Sequence, residues 1–218
     1  FVILPLGEND VQNMGKLLAA EIKPREGCII IDSNGLQFFS EEKCNSLPGT
    51  EIKNETDWKY LEPIGLKETI YIFGGGHVSV ELSKVMRMLG FYVKVYDNRS
   101  DISTMKLNET AHEKIVISYD EAGKQVPENE NTYVVIMTVG HMHDLDVLEQ
   151  MVGKKIKYLG MMGSKSKVAT IHKLMSEKGF SEEEISKIHM PIGLPIKSHT
   201  PMEIAISISA EIIAVKNH

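Results

Sequence analysis

The stretch Ile70–Leu82, IYIFGGGHVSVEL, places three consecutive glycines between an apolar run and a helical pattern. A glycine turn that follows a strand and precedes a helix is typical of dinucleotide-binding domains. Gly74 is expected to make the tight turn, and Gly76 to let the backbone approach a pyrophosphate, while Ser79 takes the third small position. The stretch therefore predicts a nucleotide-type ligand. The alternative is a domain of the same shape that binds no dinucleotide.

Strand-like and helix-like runs alternate from Lys67 onward. The strand runs are continuously apolar, as in parallel strands that are covered on both faces. Such alternation implies βαβ units with right-handed crossovers. We therefore predict an α/β fold, a Rossmann-like parallel sheet with flanking helices, whose five strands are Thr69–Phe73, Tyr92–Asp97, Lys114–Ser118, Tyr133–Thr138 and Lys157–Gly160.

The amino-terminal region has a different pattern. A helix is predicted over Asp10–Ile22, and Asn34-Gly35 predicts the two-residue turn of a β-hairpin. The polar segment from Asn45 to Gly65 contains two prolines and is interpreted as a linker with one short strand. The predicted domains are a small N-terminal α+β subdomain with hairpin and linker, residues 1–66, and a Rossmann-like domain, residues 67–218.

The carboxyl-terminal tail carries a helix-start signal. Thr200 and Glu203 have the spacing of a capping box, and Pro201 occupies the first helical position, where its missing N–H costs nothing. Apolar residues then recur at helical spacing, which predicts a packing helix.

Composition restricts the function. The net charge of −6 and pI of about 5.8 argue against nucleic acid as a partner, so an anionic ligand needs a local basic or dipolar pocket. The apolar start FVILPLGEND is short and has no basic flank, so we expect a cytoplasmic protein without membrane contact. Cys28 and Cys44 lack metal-like spacing and are expected to be unpaired thiols, and no metal site is predicted.

Two candidate ligand contacts lie close to the glycine turn in a Rossmann-like fold. Asp97 ends the next strand, 23 residues after Gly74, where an acidic side chain can accept hydrogen bonds from ribose hydroxyls. Its charge favours NAD over NADP, although Arg99 blurs that preference. His77 falls in the first turn of the following helix, where a neutral imidazole could donate to a phosphate or a carbonyl.

Two further loops follow the fourth and fifth predicted strands, and ligands of such sheets bind at the carboxyl ends of the strands. In TVGHMHDLD, Thr138 to Asp146, His141 is a candidate for acid/base chemistry or a polar contact, whereas Asp144 could simply cap a helix. In GMMGSKSK, Gly163 and Ser164 open a helix with lysines in its first turn. These cations oppose the helix dipole, so they indicate either an anion site or a solvated helix start.

Four motifs together resemble the XdhC/CoxI family of xanthine dehydrogenase accessory proteins: IFGGGHVSVELSKVMRMLGFYVKVYDNR, VVIMTVGHMHDLDVLEQ, YLGMMGSKSKV and MPIGLPIKSHTPMEIAISISAEIIAV. They occur in the family's order and cover its carboxyl-terminal Rossmann domain. The glycine turn alone is a weak signal, and the four motifs together are a specific one.

The resemblance implies an accessory protein that binds molybdenum cofactor, NAD(P) or both, and that delivers cofactor to a molybdenum hydroxylase apoenzyme. It also implies a sulfurtransferase as a second partner, and we expect a homo-oligomer. Matched by position, and including the neighbouring Gly75 and Arg99, the cofactor-binding residues are Gly74, Gly75, Gly76, His77, Asp97, Arg99, Thr138, His141, Asp144, Gly163, Ser164 and Lys167, with His77 and His141 as candidate catalytic groups.

The sequence departs from the family pattern in two places. The Ser-Gly-Gly-Cys-type motif of the family's first domain has no counterpart before Tyr60, which argues against a cysteine-dependent role. Val139 stands where the family often has His or Arg. Because the chain lacks room and ligands for the redox centres of a hydroxylase, an accessory protein is favoured over the enzyme itself. Two alternatives stay open: an NAD-dependent oxidoreductase, and a nucleotide-binding sensor or scaffold without turnover.

Overall fold

The structure is a computed structural model that describes residues 7–21, 27–40, 49–54 and 57–218. The chain divides into two compact units, Phe1–Lys67 and Glu68–His218. The first contains a small antiparallel sheet and the second a five-stranded parallel sheet with helices, so the predicted fold class is confirmed. No helix in the described part of the chain combines the length and apolarity that a membrane span requires.

The first unit is a four-stranded antiparallel sheet preceded by a helix, α1. The predicted helix is confirmed up to Glu21, and its last predicted residue, Ile22, lies outside the described residues. The strand order is β2-β1-β4-β3. The elements are α1 (Glu8–Glu21), β1 (Gly27–Asp32), β2 (Gly35–Ser40), β3 (Gly49–Ile52) and β4 (Trp58–Ile64).

Three details of this unit differ from the predictions. Asp32 pairs with Gly35, so the hairpin turn is Ser33-Asn34, one residue earlier than predicted. The predicted linker instead supplies β3 and β4, and β4 pairs with the whole length of β1. The remainder of that segment lies in part outside the described residues. The prediction of unpaired thiols is wrong for Cys28, which is buried and disulfide-bonded.

The second unit has five parallel strands in the order β7-β6-β5-β8-β9. This order reverses between β5 and β8, at the topological switch point where ligands of open α/β sheets bind. The first two strands have the predicted bounds, and the other three begin or end within two residues of the predicted positions. They are β5 (Thr69–Phe73), β6 (Tyr92–Asp97), β7 (Glu113–Val116), β8 (Thr132–Ile136) and β9 (Tyr158–Met161).

Seven helices complete the described part of this unit. The predicted capping box at Thr200 and Glu203 is confirmed, with Pro201 at the first position of α8. The helices are α2 (His77–Met88), α3 (Ser103–Lys106), α4 (Ala122–Gln125), α5 (His141–Met151), α6 (Lys165–Glu177), α7 (Glu182–Ser186) and α8 (Pro201–Lys216).

The sheet has a hydrophobic core on each face, because successive side chains of a strand point to opposite sides. In β5, Ile70 and Ile72 join one core, whereas Tyr71 and Phe73 join the other. The first core is closed by α2 and α8, and the second by α5 and α6. Their buried helical residues include Leu82, Met86, Ala205, Ile208 and Ile212 in the first core, and Leu145, Leu148, Ile171 and Met175 in the second.

The segment before α8 lies along the edge of β9. The His189 N–H donates to Leu159 O at 2.9 Å, and Met161 N–H donates to His189 O at 3.0 Å. Glu211 of α8 accepts hydrogen bonds from the Tyr158 hydroxyl at 2.5 Å and from Gly193 N–H at 3.0 Å. The sheet edge is therefore covered, and α8 is tied to it through a carboxylate.

The two ends of the second unit are adjacent. Glu68, just before β5, forms an ion pair of 3.1 Å with Lys216 at the end of α8. Glu68 is buried, and the Lys216 ammonium also lies 5.1 Å from the ring centroid of Phe91. This pairing brings the start of the first strand beside the end of the last helix.

Candidate functional site

The three glycines of the turn have three different environments. Gly74 has φ +116°, and a Cβ atom on it would lie 2.3 Å from the carbonyl oxygen of Met137. Gly75 donates its backbone N–H to the Asp97 carboxylate at 2.7 Å. Gly76 has open space on the side where a Cβ would stand. Gly74 therefore makes the tight turn, and Gly76 leaves room for a ligand to approach the backbone.

The helix start that follows the turn is open. Gly76 is the N-cap residue of α2, and it has no side chain to cap the first backbone N–H groups. His77 is the first helical residue and is exposed, and the first turn contains no acidic side chain. Unsatisfied N–H groups at a helix start favour an anion, so the turn is compatible with a phosphate group.

Asp97 is fully buried at the end of β6, and Arg99 holds it in place. Its Oδ1 accepts from the Arg99 backbone N–H at 3.0 Å and from Arg99 Nε at 2.9 Å. Its Oδ2 accepts from the second guanidinium nitrogen at 3.0 Å and from Gly75 N–H. Each oxygen thus already accepts two hydrogen bonds. The structure does not leave Asp97 free to accept from a ribose, which differs from the prediction.

These contacts also determine the ionisation of Asp97. Burial alone would raise the pKa of the carboxyl, but hydrogen bonds from Arg99 and the Gly75 N–H outweigh it, and the pKa is lowered overall. Asp97 is therefore an anion at neutral pH. Its charge is neutralised by a guanidinium that is itself 47% exposed.

Asp97→Asn is expected to lower the free energy of unfolding at neutral pH by about 1–3 kcal/mol, because the amide places a donor against existing donors. Since the pKa of Asp97 is lower in the folded protein, its stabilisation is present above the unfolded pKa of about 3.9 and is lost as the pH falls through the folded pKa. The difference between wild type and variant should therefore shrink below about pH 4. Urea denaturation across this range measures it, and a difference that grows with acidity would contradict the assignment.

Thr138, Asp144 and Lys167 form a buried polar cluster. Asp144 is fully buried in the first turn of α5 and accepts from the Thr138 hydroxyl at 2.7 Å and from its N–H at 3.1 Å. Lys167 of α6 forms an ion pair with the other oxygen of Asp144. Its side chain is only 18% exposed. The cluster therefore connects the end of β8, the first turn of α5 and the first turn of α6.

The helix start at Ser164 is capped by its own side chain. Ser164 accepts a hydrogen bond from Lys167 N–H at 3.2 Å, as a helix N-cap. A Cβ atom on Gly163 would lie 3.1–3.3 Å from the aliphatic chain of Lys167, so this glycine packs on the lysine. Of the two first-turn lysines, Lys165 is exposed, whereas Lys167 is used to neutralise Asp144.

His141 is exposed at the first position of α5. The neighbouring His143 lies 3.4 Å from the Asn98 side-chain nitrogen, which connects this loop to the end of β6. In the described residues, no group of three or more His, Cys, Asp or Glu side chains has the arrangement of a metal site. The loops after β5, β6, β8 and β9 thus meet at one edge of the sheet.

Three side chains near the glycine turn were not singled out by the sequence. The Thr104 hydroxyl donates to Gly75 O at 2.5 Å, and Met105 packs against the Gly75 Cα. Thr104 and Met105 lie in α3, a four-residue helix without a periodic signal. Tyr119 is the third. Burial raises the pKa of its phenol, and the negative charge of the nearby Asp97 raises it further.

Sequence comparison relates the second unit to a known family. The model of the XdhC Rossmann domain matches residues 70–212. Uncharacterized protein YqeB of Escherichia coli is 30% identical over 194 residues, which are 84% of this chain and 36% of that protein. A probable xanthine dehydrogenase subunit from Bacillus subtilis is 26% identical over 163 residues, 75% of this chain and 47% of that protein. The chain therefore spans less than half the length of either relative.

A solved structure shares the fold. A xanthine dehydrogenase from Bacillus halodurans superposes with a TM-score of 0.64 at 22% identity, covering 94% of this chain and 63% of that one. The family model spans about two thirds of the 218 residues and includes the glycine turn, the Asp97–Arg99 pair and the Thr138–Asp144–Lys167 cluster. The predicted resemblance is confirmed: through its Rossmann domain, the chain belongs to the XdhC family.

Proposed function

We propose that the chain is an accessory factor for the maturation of a molybdenum hydroxylase of the xanthine dehydrogenase type. It would bind a small-molecule cofactor at the carboxyl edge of the parallel sheet and deliver it to the apoenzyme. The observation that carries the proposal is the family match over residues 70–212, which includes every candidate site residue. The names of the Bacillus relatives support a hydroxylase as the client.

The residues at this edge fit the anionic part of a phosphorylated pterin or nucleotide. The start of α2 is uncapped, Gly76 permits close approach, and Arg99 supplies a half-exposed cation. These groups would bind and orient a phosphate. The redox chemistry would come from the molybdenum cofactor once it reaches the client enzyme.

The same residues do not fit a sulfur-transfer role. Both cysteines of the chain precede residue 68, so the Rossmann unit contains no thiol. Cofactor sulfuration would therefore be the task of a separate sulfurtransferase, with this chain as the carrier. The NAD-dependent oxidoreductase alternative was favoured by the glycine turn and by Asp97, and it loses the second of these supports because Arg99 holds the Asp97 carboxylate.

Gly76→Val is expected to remove the bound ligand while the fold is retained. Gly76 has an extended backbone with φ −77°, which valine adopts readily, and its side chain would fill the open space at the turn. Anaerobic purification followed by mass spectrometry would identify the released small molecule, and immunoblotting would detect a co-purifying molybdenum hydroxylase. Gly76→Ala adds one methyl group at the same place and should have the smaller effect.

The wild-type protein supplies the decisive result. If it carries neither a pterin nor a nucleotide, and retains no hydroxylase under the same conditions, a maturation role is excluded. Circular dichroism of Gly76→Val is the control for folding, since its spectrum should match that of the wild type.

A further inference from the structure

A cavity lies beside the glycine turn, at the ends of β6 and β7. Its volume is about 260 Å³, and Met105, which packs on Gly75, forms part of its wall. Pockets that enclose a whole drug-sized ligand are roughly 300–1,000 Å³. The cavity is therefore sized for one end of an extended ligand. Its lining includes Arg99, Ser100, Ile102, Met105, Lys106 and Lys114.

Three of the residues that line this cavity are cationic. Lys106 forms an ion pair with the exposed Asp101, and the Lys114 ammonium donates to Lys106 O at 2.9 Å. Arg99 uses Nε and one terminal nitrogen for Asp97, and its other terminal nitrogen donates to no residue in the described part of the chain. Arg99 is paired with Asp97 and Lys106 with Asp101, so the three cations leave one positive charge in excess beside this cavity, in a protein whose net charge is −6. Ile102 and Met105 add an apolar wall.

The position of the cavity identifies the part of a ligand that it would receive. In dinucleotide-binding folds the adenosine ribose reaches the end of the second strand of the sheet, here β6. An acidic side chain at that point accepts from free ribose hydroxyls, whereas an arginine accommodates a 2′-phosphate. Asp97 is at that point, but both of its oxygens are occupied, and the group directed toward solvent is the Arg99 guanidinium.

We infer that the ligand of this site carries a phosphate monoester on its adenosine ribose, so that the chain selects an NADP-type nucleotide over NAD. The inference rests on the proposed function only in that a nucleotide is the bound cofactor. Asp97 then has a positioning role: it fixes the guanidinium plane, and Arg99 binds the phosphate with Lys106 and Lys114 alongside. This reverses the preference that a free Asp97 would give.

Isothermal titration of the full chain with NADP and with NAD tests the inference. NADP is expected to bind at least about ten-fold more tightly, the ratio that a charge-assisted contact to phosphate supplies. Equal affinities, tighter binding of NAD, or binding of neither dinucleotide would overturn the inference.

Substitutions of individual lysines and of the Asp97–Arg99 pair show which residues contact the 2′-phosphate. Lys114→Met removes a lining cation whose ammonium contacts only a backbone carbonyl among the described residues, so the variant should fold normally. It should weaken the affinity for NADP about three-fold or more and leave the affinity for NAD unchanged. Lys173→Met, an exposed lysine of α6 outside the cavity, is the matched control for net charge. The double variant Asp97→Asn/Arg99→Met removes both members of the pair and should abolish the preference for NADP.

The readouts separate the two proposals. If Lys114→Met and Lys173→Met weaken the affinity for NADP equally, the preference for NADP over NAD arises from the overall charge of the protein. The cavity is then not the phosphate site. If the chain retains a hydroxylase and a pterin but does not discriminate between NADP and NAD, the nucleotide inference fails while the maturation role stands.

Discussion

Lys167→Met is expected to lower the free energy of unfolding of the Rossmann unit by about 3–5 kcal/mol, the usual cost of breaking a buried ion pair by removing one partner. Asp144 is fully buried, and without Lys167 its charge would keep, among the described residues, the two hydrogen bonds from Thr138. Urea denaturation followed by far-ultraviolet circular dichroism is the measurement. Tryptophan fluorescence is unsuitable, because the one tryptophan, Trp58, lies in the first unit.

A neighbouring lysine provides the matched control. Lys165 is exposed in the first turn of the same helix, so Lys165→Met removes the same charge from the same end of α6. Since a cation opposes the dipole there, Lys165→Met should be neutral or stabilising by about 0.3–1 kcal/mol. The double variant Asp144→Asn/Lys167→Met should recover much of the loss. Equal effects of the two single lysine variants would show that the Asp144–Lys167 pair has no special weight.

Gly74→Ala is expected to destabilise the same unit by about 2–5 kcal/mol. The φ of +116° costs a non-glycine residue about 1–3 kcal/mol, and a Cβ atom 2.3 Å from Met137 O would force β5 and β8 apart at their carboxyl ends. The carbonyl belongs to the backbone, so it cannot move aside as a flexible side chain could.

The other glycines of the turn are graded controls for this variant. Gly76→Ala meets no atom within 4 Å and has negative φ, so its effect should be within about 1 kcal/mol of zero. Gly75→Ala meets the Met105 side chain, which can shift, and should fall between the two. The melting temperatures of the three variants in thermal unfolding measure this order of stability. If Gly76→Ala is as damaging as Gly74→Ala, the account of the turn is wrong.

The sequence predicted the parallel sheet well because its signals are local. Strands β5 and β6 were placed to the residue, since each is rich in apolar β-branched and aromatic residues and is bounded by turn residues. The start of α8 was placed equally well, because a capping box is a four-residue pattern. In the first unit, β4 was missed. Its polar residues and Pro63 resemble a linker, and only pairing with β1 makes this segment a strand.

The sequence predicted where the candidate residues lie in the sheet but not which contacts they make. Parallel topology alone brings the loops after β5, β6 and β8 to one edge, so the candidate residues were identified without contacts. The roles of Asp97 and Lys167 depend on tertiary pairing. Lys167 lies on a different helix from Asp144, and no local pattern joins residues that are 23 positions apart. Both oxygens of the Asp97 carboxylate are occupied because the chain bends at Arg99 and brings the backbone N–H of Arg99 and of Gly75 within hydrogen-bond distance.

The ion pair between Glu68 and Lys216 has a consequence for gene architecture. Because Glu68 and Lys216 are paired, the beginning and the end of the Rossmann unit lie side by side. A coding segment with that property can be appended to, or inserted into, another reading frame with short connections and without disturbing the module or its host. The chain spans 36% of one relative and 47% of another, so the region that matches it lies in proteins of unequal length.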